Sequence, residues 1–241
     1  QPTTTVPSWH ATTTDLVQVL LVVEGTNDIE FLRRISRLLH SQDSSLPDLA
    51  NMEQRGELIF VPFGGGNVRA WTHRLAPLAK PEFHLYDREL PPETDYRGKA
   101  AKAVNRRPHC RALLTSKRSL ENYIHPQAIF DAGSIEVTFD SLDPAAEIAA
   151  QRVYESGLGE TPWEVLTRRV RSQLTHRTKR WLNTTAAEHM TCDLLQDRDP
   201  DGEIASWLRT IASLAELSRS GRCPSCSLHS SIKKGTDNDT I

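Results

Sequence analysis

Apolar residues in the first half of the chain come in short unbroken runs, each followed by a change of period. Residues 16–24, LVQVLLVVE, form a nearly continuous run, as a strand covered on both faces of a parallel sheet requires. Over residues 28–40 the period lengthens, and Ile29, Leu32, Ile35 and Leu39 fall on one helical face. The polar stretch 41–57 then reads as a loop. A second run, LIFVPF at 58–63, is broken by Gly64-Gly65-Gly66-Asn67. Val68, Trp71, Leu75 and Leu78 follow at helical spacing. FHLYD at 83–87 and CRALLT at 110–115 complete four strand candidates, with a charged connection between the last two. The alternation predicts an α/β domain over residues 15–140, a Rossmann-like parallel sheet flanked by helices.

The second half changes character. Asp143-Pro144 starts a helix through residue 156, and TPWE at 161–164 is a capping box that opens another helix toward residue 182. Ile204, Leu208, Ile211 and Leu214 are in phase within 201–218. Residues 141–218 therefore read as a helical C-terminal region. The polar segment 1–14 reads as a loose lead-in, and 219–241, rich in Ser, Gly, Lys and Thr, as a disordered tail.

Composition adds limits. No run of the 241 residues reaches the length of a membrane span, and the first residues lack a signal-peptide pattern, so a cytoplasmic protein with no membrane partner is expected. The net charge of -2 argues against a uniformly basic coat but leaves room for local basic surfaces. Four cysteines are too few for a disulfide framework in a chain this long. Cys223 and Cys226, with His229 three residues on, lack a second ligand pair and read as incidental to zinc binding.

The chemistry concentrates where strands end. Ligands of an open parallel sheet bind outside the C-terminal ends of its strands. Glu24 ends the first strand, Asp28 starts the helix one turn on, and Asp87 ends the third strand. Glu89 lies two residues beyond and shares the side of Asp87 if that strand continues. Taken singly, Asp28 reads as a helix cap and Asp87 and Glu89 as a solvated strand end. Together, such acids cannot all stay ionised without a compensating cation, and oxygen donors suit Mg²⁺ or Mn²⁺. Gly64, Gly65 and Gly66 read first as a tight turn and second as a phosphate loop. From 168 to 180 the chain carries Arg168, Arg169, Arg171, Arg177, Lys179 and Arg180 with no acid, a pattern that phosphate contacts explain.

VVEGTND followed by LYDRE resembles the topoisomerase-primase (TOPRIM) domain, in which a strand-end Glu-Gly precedes an Asp-x-Asp. FVPFGGGNV, LLTSKRSLENYI and TKRWLN extend the resemblance toward OLD-type (overcoming lysogenization defect) nucleases, over about residues 18–215. The resemblance implies that Glu24, Asp28, Asp87, Glu89 and Glu121 bind one or two divalent metals. It further implies that Glu24 and Asp87 act in catalysis and that Lys179 stabilises charge on the scissile phosphate. The chain departs from the pattern at Glu89, where the family has Asp. OLD-type nucleases are usually fused to an ATPase, yet no Walker A motif occurs in these residues, so a stand-alone protein or one with a separately encoded ATPase partner is expected. The expected function is a metal-dependent endonuclease on DNA ahead of RNA, in phage defence or a mobile element. The alternatives are an RNA nuclease or a non-catalytic DNA-binding partner of an ATPase.

Overall fold

The computed structural model describes residues 16–157 and 161–219. The four apolar runs are strands β1 (Val19–Val23), β2 (Leu58–Pro62), β3 (Glu82–Tyr86) and β4 (Cys110–Leu114), all parallel in the order β2-β1-β3-β4. Every residue of β1 and β3 is buried; β1 is apolar throughout, while β3 buries Glu82 and His84 among its apolar residues. Val22 pairs with Val61 on one side and His84 on the other, so β1 and β3 end abreast and Glu24 and Asp87 leave the sheet at one rim.

Side chains alternating along β1 feed two cores. Val19, Leu21 and Val23 join helix α1 (Thr26–Gln42), which buries Ile29, Phe31, Leu32 and Ile35. Val22 faces the other way with Phe63, Tyr86 and Ala112, against Ala100, Ala101 and Val104 of α4 (Glu93–Val104). Each large side chain so buried contributes about 1.5–3 kcal/mol. The expected charged connection between β3 and β4 is therefore mostly helix α4. A short helix, α2 (Leu49–Gln54), also forms within the stretch read as loop, because Asp48 accepts hydrogen bonds from the Ala50 and Asn51 amides.

The helix expected after the glycines is cut short. α3 covers only Val68–Trp71, Thr72 Oγ1 bonds back to the Arg69 carbonyl at 2.9 Å, and a 3-10 turn follows at Ala76–Leu78. Leu78, placed on the apolar stripe by spacing, is 53% exposed. The helical region comprises α5 (Pro126–Gly133), α6 (Ala145–Ser156), α7 (Arg168–Trp181), α8 (Cys192–Arg198) and α9 (Glu203–Arg219). TPWE does not open α7: Trp163–Val165 form a 3-10 turn, and Thr167 caps α7 instead. Leu182, Met190, Leu195, Trp207 and Leu208 share one apolar cluster with β1 and α1, so the helices pack against the same face of the sheet as α1. No helix among the described residues is long and apolar enough to cross a membrane. The 1–14 lead-in and, past Arg219, the tail with Cys223, Cys226 and His229 lie outside the described residues.

Candidate active site

Four acids and one lysine meet at the sheet rim. Asp28 sits in the first turn of α1, where its Oδ2 accepts the Gly25 N–H at 2.9 Å. It is buried, and burial foremost, with Glu121 and Glu24 adding, pushes its pKa up to about 6 against the opposing pull of Lys179. Asp87 follows β3 and is buried as well. Burial and the neighbouring Asp28, Glu121 and Glu24 charges hold its pKa well above the carboxylate range, with Lys179 countering. Glu121 lies in a 3-10 turn, Leu120–Tyr123, after β4 and is 1% exposed.

Lys179, from α7, reaches into this group. Its Nζ stands 3.4 Å from Glu121 Oε1 and 4.0 Å from Asp87 Oδ2. Burial alone would lower its pKa, but Glu121, Asp87, Asp28 and Glu24 outweigh burial and raise it, so the side chain is an ammonium at neutral pH. The lysine enters the pocket although ninety residues separate it from Glu89.

Glu24 is held on both sides. Its Oε2 accepts Arg97 Nη2 at 2.8 Å, while Arg97 Nη1 donates to the Asp87 carbonyl at 2.8 Å, so one guanidinium ties the ends of β1 and β3 together. Gly65 presses on the other oxygen: its φ is +66°, and an added Cβ would lie 2.9 Å from Glu24 Oε1. The Gly64 amide donates to the Glu24 carbonyl at 2.8 Å. The glycine turn thus walls the site rather than presenting a long helix to a phosphate, since α3 has four residues.

Glu89 is placed differently from the strand-based expectation. β3 stops at Tyr86, Glu89 takes left-handed backbone at φ 52°, and its Oε2 accepts from Arg118 Nε at 3.2 Å. Glu121, Asp87, Asp28 and Glu24, not Glu89, are the charges that act most strongly on Lys179. On α7, Arg168, Arg169, Arg177 and Arg180 are exposed and Arg171 is half-exposed.

Two residues of the site were not singled out from sequence. Arg97 gave no local signal within a charged stretch. Asn183 sits four residues after Lys179, in a π-helical turn over Leu182–Ala186, and is fully buried. Its Nδ2 donates to Glu121 Oε1 at 2.6 Å and to the Lys179 carbonyl at 2.8 Å. Such turns occur often at functional sites.

Among the described residues, two buried side-chain atoms have no hydrogen-bond partner, Asp87 Oδ2 and Asn183 Oδ1. Both are acceptors in need of a positive or donating group. Carboxylate oxygens fit a hard divalent ion in kind. As arranged, however, no group of three His, Cys, Asp or Glu among the described residues is disposed to hold one. A surface groove of about 930 Å³ lies between α5 and α6, and none of these acids lines it.

No family model matches the chain, and no curated protein matches it. Among solved structures it is similar to the C-terminal region of the OLD protein of Xanthomonas campestris pv. campestris. In a crystal phased with platinum the identity is 14% over 87% of this chain and 99% of that one, with a TM-score of 0.48. Phased with iodine, the values are 13%, 85%, 98% and 0.48, and with mercury 16%, 84%, 98% and 0.43. Likeness at this level says nothing of activity.

Proposed function

We propose that this chain is a divalent-metal-dependent phosphodiesterase that cleaves nucleic acid, DNA ahead of RNA. The observation that carries the reading is a charge deficit around an unpartnered oxygen. Among the described residues, the ion pairs of Glu24, Asp87 and Glu121 are with Arg97 and Lys179 alone, Asp28 has none, and Asp87 Oδ2 has no hydrogen-bond donor. A cluster so composed takes up either protons or a divalent cation. Glu24, Asp28 and Asp87 would hold Mg²⁺ or Mn²⁺ once their side chains turn toward a common point, which they do not share as arranged, with Glu121 behind them and Glu89 only if Arg118 releases it. When bound, such an ion would supply Lewis acidity toward a phosphate oxygen.

The chain's own groups do the rest. Lys179 brings a fixed positive charge to the rim, where a phosphodiester gains negative charge as it reacts. Arg97 keeps the carboxylate of Glu24 and the backbone of Asp87 in register. The arginines of α7 carry no ion pair among the described residues and are free to meet phosphates. The motif resemblance adds the expectation of a partner ATPase and a setting in phage defence.

A second reading has its own observation behind it. Glu24 and Glu89 are each engaged by an arginine, and Lys179 lies where a cation would serve Asp87 and Glu121. A non-catalytic nucleic-acid-binding protein on a decayed nuclease core would have these pairings. Purified protein incubated with plasmid DNA and with total RNA, in Mg²⁺, Mn²⁺ or chelator, separates the two. Metal-dependent cleavage lost in Asp87→Asn supports the enzyme. Absence of cleavage, together with no Mn²⁺ binding by calorimetry, would leave the binding protein.

A further inference from the structure

The basic surface of α7 has a counterpart on the other side of the acids. From Leu58 to Pro81 the chain contains no Asp or Glu, yet Arg69, His73 and Arg74 are all exposed there. The Arg74 guanidinium lies 4.7 Å over the half-exposed Trp71 ring. This segment packs beside α4, whose outer face exposes Lys99 and Lys102, and Arg107, three residues past that helix, donates to the Thr72 carbonyl at 2.7 Å. The acids of α4, Glu93 and Asp95, are confined to its first turn.

A run of positive charge is most often a solvated face laced by ion pairs. Helix α1 is such a face: Arg33, Arg34 and Arg37 are paired with Glu30, Glu53, Glu188 and Asp48. Arg69, Arg74, Lys99 and Lys102 have no ion pair among the described residues. Their charge is uncompensated, as on α7.

Position gives the second argument. α3 follows β2, an outer strand of the sheet, and packs in the core that holds α4. α7 meets the rim from the other side, through Lys179 and the Glu121 turn that follows β4, the opposite outer strand. Between them lie Glu24 and Asp87, on the two central strands, with Gly65 just before α3 pressing on Glu24. The acids therefore stand between two uncompensated basic surfaces.

We propose that α3 and the outer face of α4 form a second nucleic-acid surface, so that the bound strand continues on both sides of the acid rim. Arg69, Arg74, Lys99 and Lys102 meet phosphates, and Trp71 offers a ring on which a base stacks. The proposal rests on the nuclease reading for the identity of the rim, but its test does not need cleavage.

The test uses the full chain carrying Asp87→Asn and measures binding of a labelled single strand by fluorescence anisotropy across a salt series. Adding Arg69→Glu with Arg74→Glu should weaken binding at least tenfold and flatten the salt dependence by one to two ions, at about 0.7 per phosphate contact on a single strand. Trp71→Ala should weaken single-strand binding more than duplex binding. A circular single strand should compete as well as a linear one, because no end is needed. Arg168→Glu with Arg169→Glu reports the α7 side. If only that pair matters, or if linear strands alone compete, the second surface does not exist. Wild-type protein that binds as described without ever cleaving would sink the nuclease reading and leave the surface standing.

Discussion

The two ends of β3 each bury a carboxylate, and the fold treats the two in opposite ways. At the start of the strand Glu82 is fully buried, accepts His84 Nε2 at 2.8 Å and Arg107 Nη1 at 2.9 Å, and forms a further bond with Arg107 Nη2. His84 Nδ1 pairs with the Tyr86 hydroxyl at 2.9 Å, on the same face two residues on. Burial would raise the pKa of Glu82, but the bonds from His84 and Arg107 outweigh it, and the group ends below its ordinary value. At the other end Asp87 is buried among acids, keeps an unpartnered oxygen and is pushed far up. Burial alone is therefore not the mark of a site. A buried acid that the fold leaves short of donors is.

The contrast breaks first at Glu82. Glu82→Ala should cost about 3–5 kcal/mol, because buried His84 and partly buried Arg107 then lose the carboxylate that pairs them, and Arg107 is left, among the described residues, with the Thr72 carbonyl alone. Asp87→Asn should cost nothing and is expected to raise the melting temperature, because the fold no longer holds a carboxyl against burial and its acidic neighbours. Urea unfolding of both variants checks this. Equal losses would mean that both acids are structural.

Lys179→Ala comes next. Removing the one lysine that faces Asp87 and Glu121 should slow single-turnover cleavage about 10²–10³-fold while binding changes little. An unchanged rate at saturating protein would reduce Lys179 to one more charge on α7.

The third expectation concerns pH. Asp28 has a folded pKa of about 6, above its ordinary 3.8, so the native state binds its proton more tightly than the unfolded state does. Stability from this group is therefore greatest at low pH and falls as pH rises from about 4 to 6. Two units correspond to about 3 kcal/mol as a ceiling, at about 1.4 kcal/mol per unit. Asp87 works in the same direction, and neighbours share protons, so the pair titrates together. Asp28→Asn should flatten the stability profile over that window. Saturating Mn²⁺ should stabilise the wild type at pH 7 and lose its effect below about 6, as protons displace it.

How much of this was legible in the sequence follows from how local each signal is. β1 announced itself by five apolar residues in a row, as a strand covered on both faces favours, whereas β3 showed less of the pattern because it buries Glu82 and His84 as a bonded pair. Glu24 and Asp87 could be read because a carboxylate ending such a run is costly without a task. Glu89 misled, because a residue two past a strand end shares its side only while the backbone stays extended, and here it turns left-handed. The extent of α3 misled too, since apolar spacing alone does not register Thr72 bonding to the Arg69 carbonyl or Pro77 five residues on. Arg97 and Asn183 were out of reach for another reason. Their roles depend on which strand ends lie abreast and on where a π-helical turn falls, and neither is a property of neighbouring residues.

Asn183 carries the smallest expected effect and the most specific one. The amide orientation is fixed by its neighbours: Glu121 Oε1 and the Lys179 carbonyl both require a donor, so Nδ2 faces them and Oδ1 is the atom left over. Asn183→Ala loses a hydrogen bond to a charged group, about 1.5–3 kcal/mol, but also removes the unsatisfied Oδ1. The net loss should fall near the low end, about 1.5 kcal/mol. Glu121 and the backbone of Lys179 would then no longer share one donor, and the ammonium would lose its fixed distance from the rim. Cleavage should slow about tenfold at saturating protein, well below the melting temperature, with nucleic-acid affinity unchanged. A purely structural asparagine would lower the melting temperature and leave that rate alone. Asn183→Asp sharpens the point. It keeps the volume but sets a carboxylate against Glu121, so it should impair cleavage more than the alanine does, and a milder effect would mean that the contact to Glu121 does not position the lysine.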